Sequence, residues 1–147
     1  MKIAVYSPNW IGDSVLALPF IKALKNRYPN AILYLFCKEW VSDIYKNHPD
    51  IDNIISVPKA SIDSFLGTIK CGFKLRKIKL DYFFTLTDSF RSALVLRVSG
   101  SLKTIGYKSQ IRSFLLTDSR SKSKLTIHRS KKYLALLSAY EKLTIKP

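Results

Sequence analysis

The stretch with the most chemistry in it is the first turn of the chain, Ser7-Pro8-Asn9-Trp10-Ile11-Gly12-Asp13. It places a carboxylate directly after a glycine, at the start of a segment with helical apolar periodicity. The run before it, Lys2-Ile3-Ala4-Val5-Tyr6, is short and rich in branched and aromatic residues, so it reads as a buried parallel strand. In an open α/β sheet the turn after such a strand lies at the carboxyl edge, where ligands bind. Asp13 therefore stands where a catalytic carboxylate would stand. It stands equally well as a helix N-cap, accepting hydrogen bonds from backbone N–H groups that would otherwise lack partners. Both readings stay open on the local sequence.

The elements that would position this turn alternate along the chain. A helix is expected from Asp13 to Arg27, with Leu18, Ile21, Leu24 and Tyr28 at helical spacing and Pro19 kinking it or marking its regular start near Leu18. Strands follow at Ala31–Phe36, Asn53–Val57, Asp81–Leu86 and Leu102–Gly106. Between them the pattern predicts helices over Glu39–Lys46, over Ser61–Ile78 with Ser61 as cap, and over Ser89–Val98. In the second of these, Ile62, Phe65, Leu66, Ile69, Phe73 and Ile78 are expected to face the sheet and the lysines to face out. A basic loop over Tyr107–Thr126 and a final amphipathic helix over Ile127–Leu143, with Tyr133, Leu136, Leu137 and Tyr140 on one stripe, complete the pattern. Such alternation predicts one doubly wound, mostly parallel, Rossmann-like α/β domain over residues 1–147. Asp88, Ser89 and Arg91 then follow the fourth strand and open onto the same edge as Asp13.

Charge is the second strong signal. There are 25 Lys and Arg against 10 Asp and Glu, a net charge of +15, and it is concentrated. The segment Lys103–Lys132 holds nine basic residues and one acid, Asp118, while Lys70, Lys74, Arg76, Lys77 and Lys79 form a second cluster without an acid. Fields of this kind attract polyanions, whether nucleic acid, an acidic membrane face or a phosphorylated ligand. A hydrophobic fraction of 47% excludes a disordered chain. No apolar run approaches a membrane span, and the first strand is too short for the apolar core of a signal peptide. Cys37 and Cys71 lack metal spacing and read as buried free thiols.

Several chemistries lack support. The first turn has one glycine, Gly12, where a dinucleotide fingerprint needs three, and Cys37-Lys38 replace the acid that would close the second strand. There is no Gly-Lys-Ser/Thr phosphate loop. His48 and His128 are isolated, so neither a catalytic triad nor a zinc site is expected.

The combination of Met1–Asp13, Leu18-Pro19 and Leu24-Lys25-Asn26-Arg27-Tyr28-Pro29 resembles the opening of the ADP-heptose:lipopolysaccharide heptosyltransferases, their heptosyltransferase II branch in particular. The resemblance continues through Leu86–Leu94 and Gly106–Arg112 and resumes at His128 and Tyr133–Leu136. It implies the N-terminal, acceptor-binding half of a two-domain GT-B glycosyltransferase, with the donor-binding half outside these residues. It further implies an inverting transfer of heptose from ADP-heptose to the lipopolysaccharide inner core, with no metal and no cofactor.

In that frame Asp13 matches the family's catalytic base, which deprotonates the attacking hydroxyl. Gly12 would let the backbone approach substrate or serve as a plain turn glycine. Trp10 would stack on a sugar ring or merely anchor its loop. Asp88, Ser89 and Arg91 would line the crevice, with the Arg91 guanidinium forking onto an acceptor carboxylate or phosphate. Arg112 matches a basic position of the acceptor loop, with Lys108 beside it. Lys70, Lys74 and Lys77 would meet lipid phosphates at the anionic inner membrane, giving a cytoplasmic, peripheral location. ADP-heptose itself would need the other half. The rival reading is a non-catalytic basic α/β module that binds nucleic acid, resting on charge alone, since no helix-turn-helix or aromatic stacking platform is evident and no specific nucleic acid is expected.

Overall fold

The computed structural model describes residues 1–87, 89–107, 115–120 and 133–136. Asp88, Lys108, Arg112, His128 and most of the expected last helix lie outside the described residues; within that helix, 133–136 are helical and Tyr133 and Leu136 are buried.

Six strands form one sheet: β1 (Lys2–Tyr6), β2 (Ile32–Lys38), β3 (Asn53–Val57), β4 (Tyr82–Thr85), β5 (Lys103–Tyr107) and β6 (Asp118–Arg120). Their order is β3-β2-β1-β4-β5-β6, and every described pairing is parallel. The chain thus builds outward in one direction from β1 to β3, then crosses back beside β1 and builds in the other direction. Ala4 of β1 faces Tyr34 on one side and Phe83 on the other. A strand hydrogen-bonded on both edges and covered on both faces needs apolar side chains throughout, and residues 3–6 are all buried.

The helices divide between the faces. One face carries α1 (Ile11–Leu16), α2 (Leu18–Arg27), a 3-10 turn (Glu39–Val41) and α3 (Ser42–Tyr45), packed over Ile3, Val5, Leu33 and Leu35. The other carries α4 (Lys59–Ile62), α5 (Phe65–Leu75) and α6 (Phe90–Val98), packed over Ala4, Tyr6, Phe36 and Phe83. Cys37 and Cys71 are both free and buried, and burial pushes the Cys37 thiol up to about 12.

Three sequence expectations change. The break expected near Pro19 becomes a junction at Ala17 between two helices, with Pro19 in the first turn of α2, where its missing N–H costs no helical bond. The single helix from Ser61 is instead split: Ser64 caps α5, its hydroxyl accepting from Gly67 N at 2.9 Å. A Cβ at Gly67 would run into the Ser61 carbonyl, so glycine is needed where the two helices meet. The basic loop after β5 contains a sixth strand. Thr104 and Thr117 fasten its approach, each backbone N–H donating to the other's hydroxyl at 2.7 and 2.8 Å.

The largest correction concerns which side of α5 faces in. Thr68, Cys71, Gly72 and Leu75 are buried, whereas Phe65, Leu66 and Phe73 are 61%, 64% and 53% exposed. The reason is close approach to α6: a Cβ on Gly72 would lie 2.6 Å from Val98 Cβ and 3.1 Å from the Val95 carbonyl oxygen. The small side of α5 fits against α6 and the bulky side cannot. Gly72→Ala should therefore lower stability by about 1–3 kcal/mol, as overpacking does, despite alanine's better helix propensity. A fall in the midpoint of thermal unfolding checks this; an unchanged or raised midpoint would contradict the packing.

Candidate active site

The strand order reverses between β1 and β4, and a cleft opens at their carboxyl ends. That reversal is where open α/β sheets bind ligands, because the loops on either side leave for opposite faces and part. The cleft encloses about 270 Å³ and is lined by Pro8, Asn9, Trp10, Asp13, Leu86, Thr87, Ser89 and Tyr133.

The β1 side is held rigidly from beneath. Ser7 N donates to the Phe36 carbonyl at 2.8 Å, and Leu86 N donates to the Tyr6 carbonyl at 3.0 Å, so β1 stays paired on both edges up to the turn. Below the turn lies a buried hydroxyl cluster: Ser7 Oγ is 2.7 Å from Tyr45 Oη and 3.4 Å from Ser14 Oγ. Ser7 and Ser14 both donate to the Pro8 carbonyl, at 2.9 and 3.2 Å. Burial raises the Tyr45 phenol pKa, with the Ser14 and Ser7 hydrogen bonds opposing, so it stays a neutral donor. From the side, Trp40 Nε1 donates to the Asn9 carbonyl at 2.7 Å.

This scaffold settles the two readings of Asp13 in one respect. The N-cap of α1 is Trp10, in extended conformation, and Asp13 is the third helical residue, so Asp13 is not the cap. Its half-buried carboxylate lines the cleft. Gly12 is exposed, and a Cβ there would meet nothing within 4 Å, so no packing demand explains the glycine. Trp10 is 72% exposed at the rim. Asn9 Oδ1 is buried with no hydrogen-bond partner among the described residues, an arrangement that favours a donor arriving from a ligand.

Across the cleft, Ser89 caps α6, its hydroxyl accepting from Ser92 N at 3.1 Å while the residue also lines the cleft. Arg91 is not among the lining residues. It is exposed at the second position of α6 and acts electrostatically on Tyr6 and Lys38 at the ends of β1 and β2. Burial more than anything else pushes the Lys38 ammonium pKa down; Asp63 opposes this, and Arg91 and Lys59 add to it. Lys38, Lys59 and Arg91 thus converge beside the cleft as like charges, and a bound anion would relieve their repulsion. Lys70, Lys74 and Lys77 are exposed on α5 and its 3-10 extension, away from Asp13's side of the sheet.

Trp40 and Lys38 escaped the sequence reading. Lys38 Nζ lies 5.5 Å from the centre of the Trp40 ring, whose side chain is 44% exposed. Their position directly after β2, at the carboxyl edge, was the available signal.

No family model matches the chain. Lipopolysaccharide heptosyltransferase 2 of Escherichia coli strain K12 is 32% identical over 147 residues, covering 97% of this chain and 41% of that protein. The solved structure of E. coli ADP-heptose lps heptosyltransferase II superimposes with a TM-score of 0.80 at 30% identity, over 92% of this chain and 40% of that one. This chain is heptosyltransferase-like in sequence and in fold. The glycosyl transferase family 9 structure from Veillonella parvula shares the fold, with a TM-score of 0.84 at 20% identity over 94% of this chain and 41% of that one. The heptosyltransferase-like chain spans about 41% of the length of the curated relative it matches, and its sheet is the Rossmann-like sheet of the GT-B glycosyltransferases.

The rigidity of the turn is testable apart from any activity. Tyr45→Phe removes one hydroxyl from the buried cluster and should cost about 1–2 kcal/mol. Urea unfolding should show a lower midpoint at unchanged slope; an unchanged midpoint would mean the cluster does not hold the turn.

Proposed function

We propose that this chain is the acceptor-binding half of a heptosyltransferase and that Asp13 is its general base. The observation that carries the reading is the half-buried Asp13 carboxylate at the strand-order reversal, in a chain 32% identical to a lipopolysaccharide heptosyltransferase 2. The acceptor is a phosphorylated inner-core glycan of lipopolysaccharide. Its sugar enters the cleft against Trp10, a hydroxyl donates to Asn9 Oδ1, and an anionic substituent meets Lys38, Lys59 and Arg91. ADP-heptose is held by a second, donor-binding domain.

The step this half performs is proton removal. As the acceptor oxygen attacks the anomeric carbon of the donor, its proton passes to a carboxylate oxygen of Asp13. The bond from the anomeric carbon to the phosphate oxygen breaks, and ADP leaves with the electron pair. Attack opposite the leaving group inverts the anomeric centre. Gly12, without a side chain next to the carboxylate, leaves room for the incoming sugar ring.

Joining this chain to the donor-binding half of the E. coli enzyme tests the assignment. Asp13→Asn should lower heptose transfer by about 10²–10⁴-fold, the usual contribution of a general base, while the melting temperature holds. Gly12→Ala should also leave the melting temperature unchanged, since its Cβ meets nothing, yet raise the KM for acceptor. Turnover near wild type in Asp13→Asn would remove Asp13 from the reaction.

A further inference from the structure

The outward side of α5 carries three large apolar side chains that the fold does not use. Phe65, Leu66 and Phe73 are each more than half exposed, although buried positions were available on the same helix. They lie on one side of the helix, because residues four apart and their neighbours share a face. Lys70, Lys74 and Lys77 run beside them at four- and three-residue spacing, all exposed, and no acid occurs between Ser64 and Lys79. Arg76 is committed elsewhere: its Nε donates to the Val98 carbonyl at 2.7 Å and its guanidinium lies 4.6 Å from the Phe73 ring centre. The helix therefore presents an apolar strip with a flanking row of free-standing length and positive charge.

That pairing is the chemistry of an interfacial helix, whose apolar side chains enter the boundary between headgroups and acyl chains while its lysines reach lipid phosphate. Among the described residues no helix is long and apolar enough to cross a membrane, so α5 would lie along the surface. Charge decides between occupants. A second copy would bring the same lysine row against itself, whereas an anionic leaflet complements it. The fold also places the helix usefully: α5 starts from the carboxyl edge of the sheet, where Asp63, two residues before it, acts on Lys38 at the end of β2.

We propose that the outward face of α5 docks this protein on an anionic phospholipid bilayer, with Phe65, Leu66 and Phe73 entering the interface and Lys70, Lys74 and Lys77 meeting phosphate. The docking extends the acceptor reading, since a lipid-borne acceptor would then be presented near the cleft, but it stands or falls separately. Vesicles without any sugar acceptor test it.

The experiment is flotation of the full chain with vesicles rich in phosphatidylglycerol or made of phosphatidylcholine alone, at about physiological ionic strength. The wild type should favour the anionic vesicles by about tenfold or more. The Phe65→Ser/Leu66→Ser/Phe73→Ser variant should lose about tenfold in binding and keep its melting temperature, because these side chains lie outside the core. The Lys70→Gln/Lys74→Gln/Lys77→Gln variant should lose at least as much and carries the test if the first variant misfolds. Equal binding by the well-folded apolar variant overturns the proposal, as does equal binding to neutral vesicles. A dimer that the apolar substitutions dissolve would assign the face to a second copy, and displacement by single-stranded RNA would assign it to nucleic acid; each overturns it.

Discussion

The site depends on the pairing of β1 with two parallel neighbours laid down in opposite directions. Because β2 and β3 extend to one side of β1 and β4 to β6 to the other, the turn after β1 departs over one face and the turn after β4 over the other. The two turns cannot close over the space between them. What lines that space is then decided by side chains: Asn9, Trp10 and Asp13 on one wall, Thr87 and Ser89 on the other. The buried Ser7–Tyr45–Ser14 cluster keeps the first wall from relaxing, since releasing any member would leave a polar group without a partner in the core. A carboxylate that takes a proton during displacement needs such rigidity, because its distance to the reacting oxygen governs its contribution.

Much of the fold was legible because its strands are buried on both faces and read as continuous apolar runs bounded by proline, glycine and aspartate. β3 matches its expected bounds, and Asp13 was singled out from its place after the first strand. What escaped notice has physical causes. β6 is three polar residues, Asp118-Ser119-Arg120, held by pairing and by the threonine exchange rather than by hydrophobicity. The inward face of α5 was misjudged because bulk was taken as the sign of burial, whereas glycine and threonine set the helix separation. Trp40 was passed over because a lone tryptophan carries no periodic signal; only its bond to the Asn9 carbonyl ties it to the site.

The basic charge of the chain also divides into uses. Lys38, Lys59 and Arg91 converge beside the cleft, where burial and mutual repulsion prepare them for an anion. The lysines of α5 line an apolar strip on the helix that leads away from that edge. A ligand that is at once a sugar, a polyanion and lipid-borne would engage the cleft, the converged cations and the helix together. Neither nucleic acid nor a free sugar would use all three.

The most direct test of the central claim, that the cleft between β1 and β4 receives the acceptor glycan, is amide chemical-shift mapping by NMR. The isotope-labelled chain would be titrated with phosphorylated inner-core oligosaccharide freed of its lipid. The account predicts saturable shifts at Asn9, Trp10, Gly12, Asp13, Thr87 and Ser89, with further shifts at Lys38 and Arg91 and none along the middle of α5. Shifts confined to α5 or spread evenly over the lysines, with the first turn silent, would contradict it.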